Sequence, residues 1–485
     1  MSVAFVNGRI FDGTTYQGPG TVVIEDGHVT TVQYGECLNL PAGAEVVDVQ
    51  GGLVLPGFID AHMHPMVGGL EQLRCELNKL STREEYLDAI AEHAGSEEDH
   101  GWFRAGGWAV GAFPAGGPLA ADLDQVLGDR PAFIVSSDHH NAWANTAALR
   151  LAGVSAATPD PPDGWVERDE HGRPTGALRE AAMSLVFDCV RTTREGCLAG
   201  LLQAQDYLHA GGITGWHDAL IGGYAGIDDP TQAYLDAIDQ ERLTARVRAS
   251  QWWDRNRGPE QVAELVERRA RLLERGLDAG SVKLMVDGIA ETFTASVTEP
   301  YADLRGCPCG GSGLSFLDHD DLVEAAVALV EAGFQLHFHA IGDRAVHDAL
   351  DAVQAAGPAR GRRHQIAHLQ LVRPEDRPRF AALGVVANLE GMWVNAASGS
   401  VALVRPHLDD ERFSWHYPFA EIARHGAELA GGSDWPVNPP EPVGAVHALV
   451  NRRPYGQDLE DGPDPLFPEE GLTLQQALTA YTRGS

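Results

Sequence analysis

From about residue 200 onward, short apolar runs alternate with amphipathic helical stretches, and this alternation constrains the fold more than any other property of the chain. The strand candidates are 212–218, 245–253, 281–288, 334–340, 364–370, 384–390 and 427–434, with helix candidates such as 259–276 and 320–334 between them. An eighth run, 53–62, lies upstream and ends in histidines. Parallel strands cannot be joined by a tight turn and need a crossover, usually a helix. Repeated alternation therefore predicts an α/β fold with a parallel sheet covered by helices, and eight repeats predict a closed (β/α)8 TIM-like barrel.

Two additions to that barrel are expected. Residues 3–50 are rich in Val, Ile and Thr and are cut by Asn-Gly and Asp-Gly turn signals, which predicts a small β unit over 1–55. The first two barrel strands lie about 150 residues apart, far beyond a helix plus loops of roughly 2–6 residues. An insertion over about 72–200 is therefore expected within the 56–485 barrel domain. It carries a strand candidate at 131–138 and a stretch rich in Gly, Pro and Asp at 157–176. The length of 485 residues fits, since single cores stop growing near roughly 250–300.

Charge narrows the partners. With 36 Lys and Arg against 69 Asp and Glu, the net charge of −33 repels phosphate backbones and anionic lipid. Nucleic acid and membrane are not expected partners; a small-molecule substrate is, and a homodimer stays open. The opening MSVAFVNGRIFDG has no basic region followed by an apolar run, and no apolar stretch reaches the roughly 18 residues of a span, so a cytoplasmic location is expected. Six cysteines in such a chain do not form a disulfide framework. Cys307-Pro-Cys309 resembles half a zinc site without a second pair and is expected to be a loop.

Polar residues collect at the carboxyl ends of the strand candidates, where this architecture places its active sites. His62 and His64 end the first strand two residues apart, so both imidazoles face one side. His339 ends the fifth on the face of His337, His368 lies in the sixth on the face of His364, and Asp434 follows LAGGS in the eighth. Each alone fits a core histidine or a capping Asp. Together they suggest a metal site, with donors suited to zinc and with iron, manganese or nickel open. Lys283 stands in the apolar run SVKLMVDG; it either joins this site or forms a buried salt bridge, for which Asp287 is the candidate. Trp108, Trp143, Trp393 and Trp435 are candidates to line an apolar substrate pocket, and each also fits core packing. No G-x-S-x-G elbow and no phosphate-binding loop is present.

The motifs VNGRIFDG, LPGFIDAHMHP, LDQVLGDRPAFIVSSDHHNAWANTAAL, GRPTGALRE, VKLMVDG, HFHAIGDRAV and GGSDWPV resemble the amidohydrolase superfamily. The likeness is to its YtcJ-like branch, which includes N-substituted formamide deformylase. It implies one or two divalent ions, held by His62, His64, His339 and His368. It further implies Lys283 as a carboxylated bridging ligand and Asp434 as both ligand and proton carrier. His140 and Asn145 match a branch motif and are expected near substrate; His139 stands where the branch usually has Gly. The implied reaction is hydrolysis of an amide-type C–N bond. A non-catalytic relative, a lactonase or phosphotriesterase, and an isomerase stay open. In that family the chain returns after the barrel to complete the small β domain. This sequence stops at QQALTAYTRGS, so an unpaired edge is expected in the 1–55 unit, covered by further chain or by another molecule.

Overall fold

The computed structural model describes all residues except 1, 36–39, 97–100, 115–116, 224–226, 303–310, 358–360, 396–398 and 457–461, and the side chains of 399 and 400. Cys307 and Cys309 lie outside the described residues.

Eight parallel strands form the central sheet: β1 (Phe58–Met63), β2 (Ile213–Ile221), β3 (Arg246–Trp252), β4 (Asp278–Met285), β5 (Gln335–Ala340), β6 (Gln365–His368), β7 (Val386–Glu390) and β8 (Leu429–Gly432). They pair in chain order from β1 to β8. The two ends of the sheet meet above their strands. Asp434 N–H donates to His62 O at 2.8 Å, and His64 N–H donates to Trp435 O at 2.7 Å. The barrel is thus nearly closed.

The period of two along each strand sorts side chains between the interior and the helices. On β5, Leu336 and Phe338 pack outward into the main hydrophobic cluster, with Val282 and Leu284 of β4 beside them. Gln335, His337 and His339 of β5, and Ser281, Lys283 and Met285 of β4, occupy the alternate positions. The helix Asp343–Ala356 shows how the outer layer forms. Its buried residues Ala345, Val346, Ala349, Leu350 and Val353 recur at helical spacing, and Gly357 ends it at φ 89°.

The run 53–62 divides, contrary to the single strand expected. Leu53–Val54 pairs with Arg9 and Ile10, and only Phe58–Met63 enters the barrel. Pro56 stands between the two pieces and has no N–H to donate. Gly57 follows where a Cβ would lie 2.5 Å from Thr214 Oγ1, so no larger residue fits between β1 and β2 there.

The N-terminal residues form a five-stranded sheet whose main path runs from His28–Tyr34 through Tyr16–Glu25 and Ser2–Phe11 to Glu45–Asp48. Val29, Val32 and Val46 on its outer strands are exposed. Between β1 and β2 lies a second, six-stranded sheet built from strands between Cys75 and Glu180. The 131–138 candidate is its strand Ala132–Ser136, and the Gly/Pro/Asp-rich stretch holds the strand Gly164–Arg168 and the start of Pro174–Glu180. No helix among the described residues is long and apolar enough to cross a membrane.

Candidate metal centre

Strand register sets the site. Lys283 pairs with His337 across β4 and β5, and Met285 with His339 one layer higher; across β5 and β6, Ala340 pairs with His368. β1 and β8 bring His62, His64 and Asp434 from the other side. Gly432 permits the approach: a Cβ there would lie 2.9 Å from His62 Cβ and 3.0 Å from Asn388 Oδ1.

These side chains converge. Asp434 Oδ1 lies 3.4 Å from His62 Nε2 and 3.5 Å from His64 Nε2, and Asp434 Oδ2 lies 4.0 Å from His368 Nδ1. Lys283 Nζ is 3.2 Å from His62 Nε2. The rings of His339 and His368 are 4.3 Å apart, centre to centre. His339 uses Nε2 on the Gly288 carbonyl at 3.1 Å, which leaves Nδ1 as its other ring donor. Burial drives His62, His339 and His368 well below the usual histidine range. They are neutral imidazoles, the form that ligates metal. Burial also lowers Lys283, against the opposing pull of Asp434 and Glu390, to about 8.

Several polar atoms here have no partner. Both ring nitrogens of His368, Nδ1 of His64 and Oε1 of Glu390 are buried without a hydrogen bond. Buried polar atoms are normally satisfied. Two trios, His62–His64–Asp434 and His62–His368–Glu390, each have donor atoms within 4.8 Å of one another. Imidazoles and carboxylates so placed fit a divalent cation.

Beneath the site a chain of polar side chains is joined by hydrogen bonds. His337 Nε2 meets His62 Nδ1 at 2.8 Å, and Gln365 Nε2 lies 2.8 Å from His337 Nδ1 and 3.1 Å from His217 Nδ1. His217 Nε2 contacts Ser250 Oγ at 2.8 Å, and Ser250 Oγ donates to Ser281 Oγ at 3.0 Å. This chain crosses β1, β5, β6, β2, β3 and β4. It commits His62 Nδ1 and turns Nε2 toward the site.

The alternative open for Lys283, a buried salt bridge to Asp287, does not form. Asp287 instead accepts backbone N–H groups from Ser296, Ile341 and Gly342 at 2.8–3.0 Å, pinning the loop after β5. His364, expected on the face of His368, lies outside the cluster and accepts the Leu336 N–H through Nδ1 at 3.0 Å.

A cavity of about 690 Å³ opens above the cluster, lined by His62, His64, Lys283, His339, His368 and Asp434 and by a wall from the inserted sheet. That wall carries His139 and His140. His140 Nδ1 is 2.8 Å from Glu180 Oε2, and Glu180 is 2% exposed. Burial disfavours the charged ring, but the charge and hydrogen bond of Glu180 outweigh it and raise His140 to about 9. His139 Nε2 faces Glu71 Oε1 at 3.2 Å. Trp393, at the end of β7, lines the cavity and stacks on His368 at 5.3 Å and 11°.

Four expectations near substrate need correction. Trp108 and Trp143 are fully buried in the inserted unit, with Nε1 donating to the Ile134 and Leu119 carbonyls. Asn145 caps the helix Thr146–Leu151, accepting the Ala148 and Ala132 N–H groups. Trp435 packs over Gly68, where a Cβ would lie 2.4 Å from its ring, and beside Tyr207. None of the four lines the cavity; each indole or amide serves local packing. Glu390 and Glu180 escaped sequence reasoning, and His337 was placed only as sharing the face of His339. The strand candidate 384–390 ends at Glu390, so the period of two was the signal that could have found it.

The Amidohydrolase family model matches residues 45–485. The chain is 29% identical to Protein LONG AFTER FAR-RED 3 of Arabidopsis thaliana, covering 98% of this chain and 81% of that one. It is 27% identical to putative amidohydrolase YtcJ of Bacillus subtilis, over 96% and 85% of the two chains. It is 27% identical to N-substituted formamide deformylase of Arthrobacter pascens, over 90% and 80%. In fold it resembles the crystal structure of an uncharacterized metal-dependent hydrolase from Pyrococcus furiosus, with a TM-score of 0.71, 24% identity, and coverage of 100% of this chain and 94% of that one. With the family matched from the small β unit through β8, and the polar cluster at the carboxyl end of its barrel, this chain belongs to the amidohydrolase family, in its YtcJ-like branch.

Proposed function

We propose that the protein is a metal-dependent hydrolase that cleaves an amide-type C–N bond of a small molecule, a formamide, amide or cyclic amide. The observation that carries this is the convergence of His62, His64, Lys283, His339, His368 and Asp434 on one cavity, with buried donor atoms left without partners. We assign these six residues as the metal-binding set. A divalent ion held there, zinc by the donor chemistry, would acidify a water toward a pKa of about 7 and polarise the substrate carbonyl.

The chain's own groups supply the rest. Asp434 takes the proton of the attacking water and passes it to the leaving amine. Its Oδ1 lies 3.4 Å from His62 Nε2 and 3.5 Å from His64 Nε2, beside two of the groups that would hold the ion. His140, with Nδ1 committed to Glu180, turns Nε2 to the cavity side and donates to the substrate carbonyl oxygen as charge grows there. Trp393, with Met392, Leu220 and Ile289, gives an apolar group of the substrate a place to pack. Lys283 becomes carboxylated: its amine forms a bond to the carbon of carbon dioxide and releases one proton. The resulting carbamate removes the buried ammonium and adds an anionic donor. The volume of about 690 Å³ suits a small-molecule substrate. The formamide deformylase among the relatives makes N-substituted formamides the first compounds to try.

The experiment is a panel of N-substituted formamides, anilides, cyclic amides, lactones and phosphotriesters, assayed with zinc-reconstituted protein and with chelator-treated protein. Metal-dependent turnover of a C–N substrate, lost in Asp434→Asn, is expected. Turnover confined to lactones or phosphotriesters, or amide turnover that survives metal removal, would overturn the reading.

A further inference from the structure

Glu390 ends β7 inside the barrel, 1% exposed, beneath His368 rather than at the cavity wall. One carboxyl oxygen accepts the His368 backbone N–H at 2.8 Å. The other has no partner, and neither has either ring nitrogen of His368, which is also 1% exposed. Glu390 Oε1 and His368 Nδ1 lie 3.5 Å apart, beyond a hydrogen bond. Donor atoms of Glu390, His368 and His62 fall within 4.8 Å of one another. A buried carboxylate oxygen and a buried imidazole that face each other without hydrogen bonds are costly unless a cation sits between them.

We propose that Glu390 is a direct ligand of the metal centre, completing with His62 and His368 an inner donor set that the six-residue set leaves out. This rests on the reading of the centre as a metal site. His62 Nδ1 is committed to His337, so only Nε2 serves an ion. Two carboxylates lie near that nitrogen. Asp434, with a side chain 10% exposed, lies toward the mouth; Glu390, 0% exposed, lies toward the interior. Asp434 and Glu390 thus bring two buried carboxyl groups to this cluster.

The test uses chelator-stripped full-length protein titrated with Co²⁺, read by its d–d absorption, with metal equivalents from elemental analysis. E390Q keeps an oxygen for the His368 N–H and the same side-chain volume. It should stay folded by circular dichroism, show a changed d–d spectrum, and bind Co²⁺ about 100-fold more weakly or worse. E390D, with the carboxylate withdrawn by one methylene, should fall between it and wild type, and decides the matter if E390Q does not fold. A wild-type d–d spectrum in E390Q, or in E390D if E390Q does not fold, would overturn direct ligation, even with a loss of about 10–100-fold in affinity, because that is the effect of a group that only orients a ligand. Wild-type protein that takes up no Co²⁺ would overturn both this inference and the hydrolase reading. Normal wild-type uptake with an unaltered E390Q spectrum would overturn this inference alone.

Discussion

Two polar layers occupy one barrel, and they are built on opposite rules. In the lower layer His337, Gln365, His217, Ser250 and Ser281 satisfy one another in a continuous chain. In the upper layer, a few ångströms nearer the mouth, His64, His368 and Glu390 keep buried atoms without partners. Both layers are buried and both contain histidines, but the upper one adds the carboxylates of Asp434 and Glu390 where the lower one has Gln365, Ser250 and Ser281. The upper layer alone leaves imidazole nitrogens and a carboxylate oxygen together without partners. A satisfied buried network holds a structure in place, whereas an unsatisfied one is a cost that a ligand removes. His62 joins the two: Nδ1 belongs to the lower layer and Nε2 to the upper.

Substitutions can break this contrast in graded ways. The largest effect is expected in the upper layer. Asp434→Asn keeps the shape and an oxygen for metal but carries no proton. Its kcat should fall by about 10²–10⁴ while metal content measured on the same preparation stays near wild type; near-normal turnover would move the proton-carrying role to another group. Next comes the lower layer. His337→Ala strands His62 Nδ1 and removes one of the two contacts of Gln365 Nε2, so it should cost about 1–3 kcal/mol in a denaturant melt and lower metal affinity about 10–100-fold, although His337 is not in the proposed ligand set. A stable variant with unchanged affinity would mean the two layers are independent.

Smaller effects sharpen the boundary between site and wall. Trp393→Ala removes the ring stacked on His368; if an aromatic pair contributes about 0.5–1.5 kcal/mol, KM should rise about threefold to tenfold, with less change in kcat. The smallest concerns the His140–Glu180 pair. His140 is raised from 6.5 to about 9, so the stability that Glu180 confers through it is fully present below pH 6.5 and is lost as pH rises through about 9. The melting-temperature gap between wild type and Glu180→Gln should therefore narrow over that window. A gap independent of pH would show that the pair is not ionised in the folded protein.

The contrast also explains what could be read from the sequence. The eight strands were legible because helix and strand periods differ: every candidate overlaps an observed barrel strand, six of them over most of their length. The convergence of His62, His64, His339, His368 and Asp434 was legible because strand ends in a parallel barrel share one face. Glu390 and Glu180 were not. A carboxylate at a strand end looks like any of the other acidic residues until its partner, 22 or 40 positions away, is placed beside it. The tryptophans misled for a related reason. Size and polarity predict that an indole is buried, but not against which surface. The strands carrying Trp108 and Trp143 belong to a sheet of which only Ala132–Ser136 had a clear signature.

The central claim is that the upper layer holds a divalent ion. The direct measurement is elemental analysis of wild-type protein and His62→Ala, each purified without chelator and reconstituted with zinc. His62 is the one residue common to both donor trios. At least one equivalent of metal is expected in the wild type, with most of it lost in His62→Ala and the fold retained. A wild-type content near zero after reconstitution, or a His62→Ala protein that binds as much as wild type, would contradict the claim.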